Sequence, residues 1–126
     1  MEHTIEAWLE GVLVFHSNGK WLYPLFELER FLKFSDYDPS DLLVKDKIVG
    51  RAAALLLIYF GVRSIAADVL SKPGQEALET FKVRYEYGEL VDRIACQTEE
   101  MLWDECNPGR AYEILLEKAG CRTRSL

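Results

Sequence analysis

The chain has little of what metal chemistry, membranes or polyanions require. It has two histidines, His3 and His16, and three cysteines, Cys96, Cys106 and Cys121. None of the cysteines is in Cys-x-x-Cys spacing, so no zinc or dithiol motif is written locally, and neither a metal nor a cofactor is expected. An odd cysteine count in a chain large enough to fold without staples points to reduced thiols and a cytoplasmic location. No apolar stretch approaches the ~20 residues that a membrane-spanning helix needs. The longest run, Ala52 to Phe60, has the length of a core helix. The first residues, MEHTIEAWLE, carry acids where a signal peptide carries a basic flank and an apolar stretch. Basic residues are also in deficit: 15 Lys and Arg against 21 Asp and Glu give a net charge of −6. That argues against general binding to nucleic acid or to a membrane surface, which needs a cationic excess.

What remains is an ordinary globular composition, 49% hydrophobic and 29% charged over 126 residues. One domain over residues 1–126 is expected, since a chain of this length buries roughly two thirds of its unfolded surface. Residues 3–10 suggest a short helix stopped by Gly11. Val12–His16 and Lys20–Tyr23 read as two strands joined at Asn18-Gly19, a strong hairpin signal because both turn residues accept positive φ. Pro24 opens a helix to about residue 34, with Leu25, Leu28, Phe31 and Leu32 at helical spacing. Leu42-Leu43-Val44 is a buried strand that Lys45–Gly50 leaves. Residues 51–60 form the strongest helix, apolar all round and ended by Gly61. Strand 64–70, helix 73–81, strand 83–87 and helix 108–119 follow, while 89–101 fits strand or helix. This order implies a partly parallel sheet of about five strands, in a three-layer α/β fold with helices on both faces.

Lys45–Ala54, followed by an apolar helix and Ala67-Asp68-Val69-Leu70-Ser71, resembles a small bacterial family of unknown function that is similar in fold to cytidine deaminases. The resemblance covers about residues 10–120 and is sharpest over 42–71. It implies a fold and a pocket, not a reaction. A deaminase places a His or Cys and a Glu at the start of its first helix, and Pro-Cys-x-x-Cys at the start of its second. Here those stations read Pro24-Leu25-Phe26-Glu27 and Val49-Gly50-Arg51-Ala52-Ala53-Ala54. Alanine and leucine cannot hold zinc, so the domain lacks the zinc motif and is not expected to be a zinc-dependent deaminase.

Asp46-Lys47-x-x-Gly50-Arg51 is the leading candidate site. It lies beyond a central strand and at a helix N-terminus, where open α/β sheets bind ligands. Lys47, Gly50 and Arg51 suit a small anion, nucleotide-like or phosphorylated, approaching the unpaired N–H groups. Alternatively, Asp46 caps the helix and the two cations are solvated. Ser71 would line the same edge, or cap the next helix before Pro73. Cys106 belongs to the pocket by the resemblance, which implies a Cys-Pro near this place; otherwise it is a small buried thiol. Asp36, Asp38 and Asp41 lack the remaining pattern of a calcium loop.

Three functions compete. The first is a non-enzymatic domain binding a small anionic ligand through Asp46, Lys47, Gly50, Arg51, Ser71 and Cys106. The second is a homo-oligomeric interaction module, most simply a homodimer, using Trp21, Tyr23 and Phe26. The third is a metal-independent enzyme with Cys106 as nucleophile and Asp46 or Glu27 as acid/base.

Overall fold

The structure, a computed structural model, describes residues 3–94 and 97–124. Its first strand, β1 (Ile5–Leu9), occupies the segment expected to be a helix. Ile5, Ala7 and Leu9 alternate with Glu6 and Trp8, and this period of two wins because Ile5 and Ala7 are fully buried. β2 (Val12–Ser17) pairs antiparallel with it. The turn between them is Glu10-Gly11, with φ of 49° and 83°, as a two-residue hairpin loop requires. The hairpin therefore lies one element earlier than expected. Asn18-Gly19 instead leads out of β2, and Thr4 Oγ1 donates to the Gly19 carbonyl at 3.1 Å. The expected strand at Lys20–Tyr23 is the approach to helix α1 (Tyr23–Phe34), whose Pro24 sits in the first turn.

β3 (Leu43–Val49) is longer than expected and includes the polar Lys45-Asp46-Lys47 stretch. α2 (Arg51–Tyr59), β4 (Ser64–Ser71), α3 (Lys72–Thr80) and β5 (Arg84–Val91) follow. The short α4 (Gln97–Met101) and the long α5 (Pro108–Arg124) complete the chain. Cys96 lies outside the described residues, as does the side chain of Cys121.

The sheet order is β2-β1-β3-β4-β5. β1 is antiparallel to both its neighbours, whereas β3, β4 and β5 run parallel. The mixed five-stranded α/β sheet is thus as expected. Successive right-handed crossovers in one direction place α2 and α3 on the same face. α1, α3 and α5 all pack against α2. α2 is buried from Arg51 to Leu57, and Leu55, Leu56 and Leu57 are fully so; each contributes roughly 1.5–3 kcal/mol by leaving water. α5 sets Ala111 and Leu115 into this core and forms a further layer over α2.

The mixed sheet with its helices is consistent with the expected three-layer α/β fold. Among the described residues no α-helix lines the depressions of the second face of the sheet. Glu6, Trp8, Lys45, Ala66, Asp68, Arg84 and Glu86 line its two depressions. Lys45 Nζ lies 5.1 Å from the Trp8 ring centroid there. The helix face, by contrast, brings the amino ends of α1, α2 and α3 together. The last two touch closely: a Cβ on Gly74 would lie 3.0 Å from the backbone of Gly50.

Candidate functional site

A cavity of about 400 Å³ opens beside the amino end of α2, between it, α1 and the end of β3. Its size is within the range of small-molecule sites. Trp21, Leu22, Pro24 and Leu25 wall it from the α1 side, and Ala52 and Ala53 from α2. Among the described residues no group of three or more His, Cys, Asp or Glu could hold a metal ion.

The six expected site residues separate into two groups. Asp46, Lys47 and Gly50 are on the cavity wall. Asp46 projects from β3 towards the helices and is only 6% exposed. Burial pushes its carboxyl up to about 7, against the lowering effect of the Ile48 and Lys47 backbone N–H groups that bond it. Asp68 adds a small further rise. Asp46 does not cap α2. Lys47 is half-buried, and its N–H donates to the Thr4 carbonyl at 3.1 Å.

Arg51 and Cys106 lie elsewhere. The Arg51 side chain is buried and runs away from the wall. Its Nε donates to the Glu105 carbonyl at 2.7 Å, and Nη1 to the Pro73 carbonyl at 3.0 Å. Nη1 also reaches Glu76 Oε1 at 3.5 Å, and Nη2 reaches Cys106 Sγ at 3.5 Å. Cys106 is exposed rather than buried. Ser71 is fully buried and caps α3, accepting from Gly74 N–H at 3.1 Å.

The residue that sequence reasoning missed is Glu99. It comes from α4, inside the stretch that fitted strand or helix. Its Oε1 accepts the Arg51 backbone N–H at 2.6 Å and the Ser71 hydroxyl at 3.3 Å. Its Oε2 accepts the Ile94 N–H at 2.7 Å. Glu99 is 1% exposed. The helix N-terminus that was expected to attract an external anion therefore already holds one from the chain itself. Gly50 makes room for it: a Cβ there would lie 2.9 Å from Glu99 Oε1. No local pattern marks Glu99, which lies 48 positions from its partner.

Trp21 was expected at an oligomer interface. It is half-buried at the cavity with φ 56°, a conformation uncommon for a bulky residue and found disproportionately at functional sites. Tyr23 packs edge-on against it at 5.2 Å, and Phe26 faces Tyr112 at 6.4 Å. Glu27 is exposed.

Comparison with known proteins places these features in a family. Residues 14–119 match the domain of unknown function DUF1893. The crystal structure of a DUF1893 family protein from Thermotoga maritima is similar with a TM-score of 0.82 and 26% identity, covering 93% of this chain and 81% of that one. No curated protein matches. The chain belongs to the DUF1893 family.

Proposed function

We propose that this DUF1893 member is a non-catalytic, cytoplasmic small-molecule-binding domain, and that its ligand occupies the cavity between α1 and α2. The observation that carries this reading is Asp46. A carboxyl group 94% removed from solvent, without a cation beside it among the described residues, costs stability that a merely structural role does not explain. It lies mid-strand in β3 on the wall of a cavity that opens where β3 ends and α2 begins, the side on which α/β sheets carry ligands. The same reading takes residues 1–126 as one cytidine-deaminase-like domain without the zinc motif. The hairpin-first order and the two helices opening at one cavity support that plan. Asp46, Lys47 and Gly50 are its binding residues, whereas Arg51, Ser71 and Cys106 support the wall from behind. A reaction at Cys106 gains no support, since its thiol faces the Arg51 guanidinium rather than the cavity.

The test is a fragment screen by thermal shift on the full chain and on Ala53→Leu, which fills the cavity. Fragments that raise the midpoint of the native chain but not of the variant are expected. A screen with no hits at millimolar concentrations removes the reading.

A second reading rests on the open sheet face. Parallel strands are usually covered on both sides, yet a row of His16, Glu6, Lys45, Ala66 and Glu86 crosses all five strands on the uncovered face. A second copy placed with its two-fold axis between β1 and β3 would set Lys45 against Glu6 of the other copy. Light scattering that gives a dimer, dissociated by Lys45→Glu, would support this; a monomer at all concentrations removes it.

A further inference from the structure

We infer that the cavity takes a planar ring through an N–C–NH2 edge, of the amidine or 2-amino-heterocycle type, and that an anionic group does not enter its depth. This inference rests on the cavity being a binding site and names the chemistry of the group that enters it.

Two carboxylates and one helix end decide the matter. The partial positive charge at the start of α2 is the feature that would draw an anion inward. Glu99 already sits on it, with Oε1 2.6 Å from the Arg51 nitrogen. Asp46 is the second acid on the same wall. A phosphate or carboxylate pushed to this depth would meet two buried acids, and the guanidinium of Arg51 is turned away towards the carbonyls of Glu105 and Pro73. Like charges repel more strongly beside a protein wall than in bulk water.

The same pair suits a donor. Asp46 is held by backbone N–H groups alone, with no ion pair to any described cation, so it keeps acceptor capacity for a ligand. A carboxyl group makes a two-point contact with an N–C–NH2 edge in either protonation state. As a carboxylate it accepts two N–H bonds from an amidinium. As an acid it donates to the ring nitrogen and accepts from the amino group. A group poised near neutrality, as burial makes Asp46, can use both forms. Trp21, Leu25, Ala53 and Ile94 line the cavity with apolar surface against which a planar ring would pack. Lys20 and Lys47 also line the cavity. Lys20 is exposed at the rim, so a substituent pointing outward is free to carry negative charge.

The experiment is calorimetric titration of the full chain with four probes: benzamidine, 2-aminopyridine, benzyl alcohol and inorganic phosphate. Each is repeated on Asp46→Asn and on Ala53→Leu. Saturable binding of the two amidine-edged probes is expected, that of benzamidine weakened at least tenfold by Asp46→Asn because an amide offers one acceptor where a carboxylate offers two, both abolished by Ala53→Leu, with no binding of phosphate. Tenfold is the low end for loss of one hydrogen bond to a charged group. Binding of benzyl alcohol or phosphate without the amidine probes keeps the cavity as a site and overturns the proposed chemistry. Equal benzamidine binding by native protein and Asp46→Asn overturns it too. Binding of none of the four removes both the chemistry and the site.

Discussion

Replacing Asp46 by asparagine should make the protein more stable, and the gain should grow with pH. In the unfolded chain this carboxyl has its ordinary value near 3.8, whereas burial raises it to about 7 in the folded state. Below pH 4 both states hold the proton and the group contributes nothing. Between about pH 4 and 7 the folded state keeps a proton that the unfolded chain has released, so stability falls as pH rises. Above pH 7 the loss is complete. Three units at about 1.4 kcal/mol each give roughly 4 kcal/mol; water entering the cavity would reduce this to about 2–4 kcal/mol. Asparagine keeps the shape and carries no charge to bury. It should match the native chain within about 1 kcal/mol at pH 4.5 and exceed it by about 2–4 kcal/mol at pH 8. For a domain of this size that is a midpoint difference of roughly 10 °C. Thermal unfolding followed by circular dichroism at pH 4.5, 6, 7 and 8 measures it. The reasoning fails if the difference is the same at every pH, or if the asparagine variant is the less stable one at pH 8.

Other expectations concern the carboxylate at the helix end. Glu99→Gln should cost at least about 2 kcal/mol in urea unfolding, because the amide oxygen can accept from only one of the Arg51 and Ile94 N–H groups and the amide NH2 then faces the other donor. Gly50→Ala should cost about 1–3 kcal/mol, since the new methyl overlaps Glu99 Oε1. Its φ of −98° is open to any residue, so the cost should shrink by more than half when Glu99 is also alanine. Cys106 is exposed and should be alkylated by iodoacetamide in the native protein. Cys106→Ser should shift stability by no more than about 0.5 kcal/mol.

The helices and parallel strands from α2 to β5 were legible because each is a continuous pattern. The apolar run 51–60, the Ser-Lys-Pro cap and the strand SIAADVL all specify structure within their own length. The hairpin was misplaced because Asn18-Gly19 is the stronger local turn signal, while the actual turn puts a glutamate, Glu10, at positive φ. Only the pairing of Ile5 with Ser17 and of Leu9 with Val12 selects that register. The end of β3 was misread for a related reason. Lys45-Asp46-Lys47 is as polar as a loop, and its middle residue is nevertheless buried on the helix side of the sheet. The place of the candidate cavity, at the junction of β3 and α2, was therefore readable, but the charge of its wall was not. Glu99 reaches that junction from 48 residues away, and no periodicity encodes such a contact.

Arg51 has a consequence larger than its own contacts. Its backbone N–H holds Glu99 and its guanidinium holds the Glu105 carbonyl and the Cys106 sulfur. The chain that crosses from the last strand to the last helix is therefore fastened near its middle and its end to a single amino acid. Whatever loosens that residue would slacken Glu99 and the Glu105-Cys106 segment together, and with them the flank of the chamber that Ile94 and Glu99 line.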